Sequence, residues 1–262
     1  MDTFTIKNRK EVRKLLNLAM ITGEALLRNG AETYRVEDTM NRICNSRTNI
    51  TNVDSFVTHT GIFLTLEHEN QVYTHLKRVK KLGYNLDKIS QINDFSRKYV
   101  RENIPLDEGI QQINQIINDK DYPRLVKLIC VSFSSSFFAL IFGGDIFDYI
   151  SSITTSFLTL LILDLLSSHN LGFFLDCFLG ALLASFFSYI TLRLGLSSNV
   201  DIVIIGSIMC LVPGIPITNS IRDTMSGDSL SGLSKGIEAI FSALAIAFGV
   251  GLILNLHMKG LI

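Results

Sequence analysis

The chain has 262 residues with 24 basic and 24 acidic side chains, and this formal neutrality argues against a nucleic-acid partner. The balance hides a division: residues 1–123 hold 18 of the Lys and Arg and 16 of the Asp and Glu, a net of +2, which leaves 6 and 8, a net of −2, for residues 124–262. The second part also holds 13 of the 17 Phe, so the composition argues against a wholly soluble protein and predicts one water-facing domain followed by membrane helices.

In chain order, KNRKEVRKLL (residues 7–16) is charged and amphipathic and lacks the uninterrupted apolar core of a secretory signal, which leaves the first domain in the cytosol. Val12, Leu15, Leu16, Ala19, Met20, Leu26 and Leu27 recur near a helical period over 8–29, and Gly30 is placed to end that helix. A second helix fits AETYRVEDTMNRIC, Ala31 to Cys44. Residues 55–79 are rich in Val, Thr, Phe and Tyr, and Gly61 and the polar stretch 67–71 punctuate them into short strands. Helical spacing returns over Leu86–Val100 and Leu106–Ile117, with Pro105 at the start of the latter. The fold class expected for 1–123 is α+β, helices flanking a small antiparallel sheet.

Within that domain ETYRVED brings together Glu32, Tyr34, Arg35, Glu37 and Asp38. Glu32 and Arg35 share a helix face, whereas Glu37 and Asp38 point elsewhere. The segment reads either as a solvated helix with one local ion pair or as a polar surface that docks on the mouth of the membrane part. His59, His68 and His75 lack close ligand spacing, and Cys44, Cys130, Cys177 and Cys210 are scattered singly, so neither a metal site nor a cofactor is expected.

About 20 apolar residues cross roughly 30 Å of hydrocarbon. On that rule residues 124–262 form an all-α domain of five spans, at about 125–143, 147–166, 170–192, 200–220 and 238–257. With the N-terminus inside, Arg124, Lys127, Arg222 and Lys235 fall inside, and Arg193 and Lys259 outside. Asp164 and Asp176 then flank the short inside turn SSHNLG, Glu238 opens the fifth span on the same side, and Arg222, Asp223 and Asp228 follow the fourth. Ionisable groups at such depths are costly and mark function, which makes Asp176, Asp223, Asp228 and Glu238 a candidate polar cluster for proton coupling. Ala243, Ala247 and Gly251, and Gly180, Ala184 and Ser188, are spaced for close helix contact within the chain or between subunits.

The fourth span carries Pro213, Gly214 and Pro216, which break a helix. Two facing half-helix ends would result, the second aiming the amides of Ile217, Thr218 and Asn219 at an anion, with Arg222 adding a full positive charge. Pro213, Gly214, Pro216, Thr218, Asn219 and Arg222 are therefore candidate substrate-binding positions for a small carboxylate or zwitterion. The bland alternative is a proline-kinked structural helix with Arg222 and Asp223 at the interface.

GAETYRVEDTMNRI and LVPGIPITNSIRDTMSGDSLSGLSKGIEAI together resemble the signature segments of the threonine/serine exporter family. The resemblance implies a bacterial inner-membrane antiporter or exporter of small hydrophilic metabolites, with a cytosolic N-terminal domain and proton-driven transport. Threonine, serine and, in two-subunit members, dicarboxylates such as succinate are the implied substrates. Because the sequence reaches Ile262 just past the fifth span, it is similar to the larger subunit of the split form, which works with a second small membrane subunit, alone or as a homo-oligomer. The rival readings are a membrane-embedded hydrolase using Asp223, Asp228 and Glu238, and a regulatory subunit whose N-terminal domain senses a metabolite.

Overall fold

The structure is a computed structural model that describes residues 5–80, 82–166 and 172–261. The chain divides into two compact units, one formed by residues 1–120 with 215–236, the other by 121–214 with 237–262.

The first unit opens with α1 (Arg9–Arg28), whose N-terminal amide of Glu11 is capped by the Asn8 side chain at 3.0 Å. Gly30 turns the chain at φ +88°, a conformation that only glycine takes cheaply, and a Cβ there would lie 2.4 Å from the Tyr84 ring. Helix α2 (Thr33–Asn45) follows, and then the antiparallel sheet β1-β2-β3, formed by Thr51–Thr58, Gly61–His68 and Gln71–Arg78. Glu69 and Asn70, both at positive φ, make the tight β2–β3 turn and set the register Leu64 to His75. Alternation in β2 buries Ile62, Leu64 and Leu66 on one face. They join Leu15, Leu18 and Leu26 of α1, Val36, Met40 and Ile43 of α2, and residues of α3 (Leu86–Arg101) and α4 (Leu106–Asn118) in one apolar core. Buried Arg47 is held there by the Tyr99 hydroxyl and by the Ile104 carbonyl at 2.8 Å.

The segment 215–236 is grouped with this unit by its contacts. It contains α9 (Gly214–Met225) from its second residue onward and the first two turns of α10 (Ser229–Met258). The reason is chemical: Asn219, Arg222, Asp223, Asp228 and Lys235 find polar partners within this unit that lipid could not provide.

The second unit contains α5 (Arg124–Ile141), α6 (Ile146–Leu166), α7 (Phe173–Arg193), α8 (Val200–Ile208), a 3-10 turn (Met209–Leu211) and α10 from Ile237. Among the described residues α5, α6, α7 and α10 are each long and apolar enough to cross a membrane, and the broken pair α8–α9 makes a fifth span only if it is counted as one. Apart from Gly172, the expected SSHNLG turn lies outside the described residues. Contacts in this unit are made by small groups: a Cβ on Gly249 of α10 would lie 2.6 Å from the Phe178 carbonyl of α7, and one on Gly180 would lie 2.8 Å from Leu211. Large side chains such as Phe133, Phe137, Leu165 and Phe248 stay exposed, as lipid-facing residues do.

The expected break is present, but shorter. The turn ends in extended Val212, at ψ 127°, and α9 begins at Gly214. Pro216 therefore sits in the first turn of α9, where its missing N–H costs nothing, and Pro213 alone stands in the break.

Candidate functional site

Helix α2 begins without a cap of its own, since no side chain of its N-cap residue Glu32 accepts from the first turn. The cap comes from 190 residues away: the Thr33 amide donates to Asp223 Oδ1 at 3.1 Å. A carboxylate at that position satisfies an orphan N–H and meets the positive end of the helix dipole. The other oxygen of Asp223 accepts from Lys235 Nζ at 2.7 Å, and the two side chains are 0% and 7% exposed. A buried pair of this kind holds only because both charges are matched and the carboxylate is further hydrogen-bonded. The Thr33 hydroxyl donates to Asp228 Oδ2 at 3.1 Å, and Asp228 stands directly ahead of α10.

Beside this hub, Arg222 Nη1 donates to Glu32 Oε1 at 2.6 Å while Arg35 Nε lies 3.3 Å from Glu32 Oε2. Burial pushes the Glu32 carboxyl up, but a hydrogen bond from its own amide, the Arg222 hydrogen bond and the charges of Arg35 and Arg222 outweigh this and hold it below the usual carboxylate value. The Asn219 side chain donates to the Gly30 carbonyl at 2.9 Å. Glu37, on the next turn of α2, accepts from the Val57 amide of β1 at 2.7 Å. Burial first, and then the nearby charges of Asp228, Asp54 and Asp223, raise its carboxyl against that hydrogen bond. Close packing of α9 on α10 depends on glycine: a Cβ on Gly232 would lie 2.1 Å from Thr224 Oγ1.

The structure thus brings Glu32, Glu37, Asn219, Arg222, Asp223 and Asp228 together in the first unit. It leaves others aside. Tyr34 accepts from Arg35 at 3.0 Å, and Asp38 pairs with Arg42 along the exposed side of α2. Asp176 and Glu238 belong to the second unit, where both lie near Cys177. Asp164, at the end of α6, pairs with Arg124. Thr218 is exposed, Pro213 is buried and Gly214 is exposed. With α9 starting at Gly214, the amides of Thr218 and Asn219 fall inside the helical ladder, and the Gly214 amide donates to Val212, so the start of α9 does not present the row of free N–H groups that the prolines suggested. Thr33 and Lys235 were not singled out from sequence. The signal for Lys235 was a lone Lys bracketed by Gly232 and Gly236 in a helix start; Thr33 gave none beyond lying between Glu32 and Tyr34. Among the described residues no group of three His, Cys, Asp or Glu is placed to hold a metal ion.

Two long signature segments, from opposite ends of the sequence, therefore meet in one network. The family described as "Putative threonine/serine exporter" matches residues 17–257. The chain belongs to that family. It is thus a multi-pass membrane protein of an exporter family, not an enzyme. Among relatives, it is 26% identical over 254 residues to the "Probable succinate transporter subunit YjjP" of Escherichia coli K12, covering 96% of this chain and 97% of that one. It is 24% identical over 255 residues to the protein of the same description from Klebsiella aerogenes, covering 97% of each. No solved structure matches the chain.

Proposed function

We propose that this protein is the larger subunit of a secondary exporter of small carboxylate metabolites such as succinate, threonine or serine, in the bacterial inner membrane with its first unit in the cytosol. The observation that carries the reading is the Arg222–Glu32 pair joining the two family signatures in a chain with membrane-length helices. The description of the relatives as transporter subunits supports a second, small membrane subunit as partner.

Arg222 is 53% exposed, so its guanidinium has donors to spare beyond the one that Glu32 uses. A substrate carboxylate exchanges with Glu32 on Arg222, in the bidentate geometry that favours Arg, while Asn219 holds the α1–α2 junction. Asp223 is matched by Lys235 at 2.7 Å. Proton uptake falls to Glu37, whose raised carboxyl faces Asp54, Asp223 and Asp228. Asp176 and Glu238 are the alternative carriers.

The test is efflux of labelled succinate, threonine and serine from loaded vesicles containing this chain with its candidate small partner, with and without a proton gradient. Arg222→Gln at normal membrane abundance is expected to abolish gradient-dependent efflux, and Arg222→Lys to restore part of it. Unchanged efflux by Arg222→Gln would remove Arg222 from the site, and efflux indifferent to the gradient would remove proton coupling.

A further inference from the structure

In the second unit, α6 buries Asp148, Ser152, Thr155 and Thr159 along one face, since at 100° per residue these positions fall within about 60° of one another. They cover roughly 16 Å of helix length at 1.5 Å per residue. Asp148, at one end, is satisfied: its Oδ1 accepts from the amides of Ser198 and Asn199 at 2.8 and 2.9 Å, and its Oδ2 from the Asp145 amide at 3.3 Å. The three hydroxyls are not. Ser152, Thr155 and Thr159 are each 0% exposed, and among the described residues their oxygens have no hydrogen-bond partner.

The contrast with five other buried serines is what makes this informative. Ser132, Ser136, Ser185, Ser188 and Ser207 each donate to the carbonyl four residues back, at 2.6–2.8 Å, which is how a hydroxyl is hidden in an apolar helix bundle. The α6 trio forgoes that device, and lone buried polar groups at membrane depth are costly.

What Ser152 faces is also polar. A Cβ on Gly206 of α8 would lie 2.4 Å from Ser152 Oγ, so α6 meets bare α8 backbone there. Next to it the α-helical ladder of α8 gives way to the 3-10 turn, and there Ser135 of α5 donates to the Gly206 carbonyl at 2.5 Å and accepts from the Cys210 amide at 3.1 Å, bridging the two. Ser156 adds a 3.3 Å contact to the Ser207 carbonyl. Opened backbone at such a depth belongs where it is buried in protein or lines a polar path.

We propose that the seam of α5, α6 and α8 is the closed translocation path, in which the hydroxyls of Ser152, Thr155 and Thr159 hydrogen-bond the polar groups of a small hydrophilic metabolite as it passes. Hydroxyls both donate and accept, so they accommodate carboxylate and ammonium groups without a fixed opposite charge to trap them. The inference rests on the export reading above and adds the route to it.

The test places single cysteines at positions 152, 155 and 159 of the full chain, with its partner in lipid vesicles and its four native cysteines replaced, and reads labelling by a membrane-impermeant methanethiosulfonate. Ile150→Cys, on the exposed side of α6, is the lipid-facing control. Labelling at least tenfold faster than at position 150, slowed by excess succinate, threonine or serine, is the expected result. Labelling no faster than at position 150 would overturn the proposal. In parallel, Thr155→Val is expected to raise the KM for efflux at least tenfold, while Thr154→Val, on the exposed face, leaves it unchanged; a more stable Thr155→Val protein with unaltered KM would also overturn it. The two readings separate cleanly. Labelling without any efflux by the unaltered pair sinks export and keeps a wet seam, whereas efflux with a dry seam sinks the seam alone.

Discussion

The two units of this chain solve the same problem with opposite means. The first buries a broad set of Leu, Ile, Val and Met side chains in a single core, and then spends charge at its edge, where Asp223, Lys235, Glu32 and Arg222 interlock. Among the described residues the second has small apolar clusters, such as Cys177, Ala181, Ala245 and Ile246, and joins its helices through Gly, Ala and Ser. A core of large apolar side chains is what water drives together, whereas lipid is as apolar as leucine, so between membrane-length helices close approach and hydrogen bonds do the joining. Residue type thus reports the solvent as much as the fold.

The sharpest way to break the comparison is to leave one buried charge alone. Asp223→Asn strands Lys235, and Lys235→Met strands Asp223; each is expected to destabilise the first unit by about 3–5 kcal/mol, with the double variant recovering much of the loss. Chemical unfolding of the full chain in detergent measures this, and a double variant as unstable as the worse single one would show that the pair is not the source. Second in size is overpacking in the other unit. Gly249→Val drives side-chain atoms into the α7 backbone and is expected to cost about 1–3 kcal/mol, read as a lowered melting temperature in detergent with the charged network untouched.

Smaller effects follow from pH. The Glu37 carboxyl is raised above its ordinary 4.5, so the native state holds this proton more tightly than the unfolded chain does. Its contribution is therefore most favourable below pH 4.5 and declines as pH rises through the raised value. Glu37→Gln is expected to flatten that decline and slightly stabilise the protein at neutral pH; a steeper decline in the variant would contradict the assignment. Glu32 has the opposite sign: its lowered carboxyl contributes stability above 4.5 that is lost as pH falls through the lowered value. Smallest of all is the stability effect of Arg222→Gln, expected below about 1 kcal/mol because the guanidinium is half in water. A loss as large as that of Lys235→Met would make Arg222 a structural residue.

Much of this was legible in the sequence wherever the signal is local. Apolar runs announced the membrane helices, Gly61 and residues 67–71 separated the strands, and Pro213 marked the break. The Glu32–Arg35 pair followed from helical spacing. The hub did not, because nothing near Thr33 signals that its amide is capped by Asp223, and nothing near Arg222 points to Glu32. The isoleucines of α9, Ile215, Ile217 and Ile221, extend the apolar run of α8 and hide the change of unit at Gly214. Hydropathy counts residues along the chain, and so it cannot register partners almost 200 positions away.

That the first unit is discontinuous also bears on how the protein is made. Its residues 1–120 leave the ribosome well ahead of 215–236, and at roughly 5–20 residues per second the intervening stretch takes on the order of 5–20 s to synthesise. For that interval α2 has a core to fold around but no cap, and Glu32 lacks its Arg222 partner. The last clasp of the first unit therefore closes only after α5 to α8 have been made, so a unit that begins the chain is completed near its end.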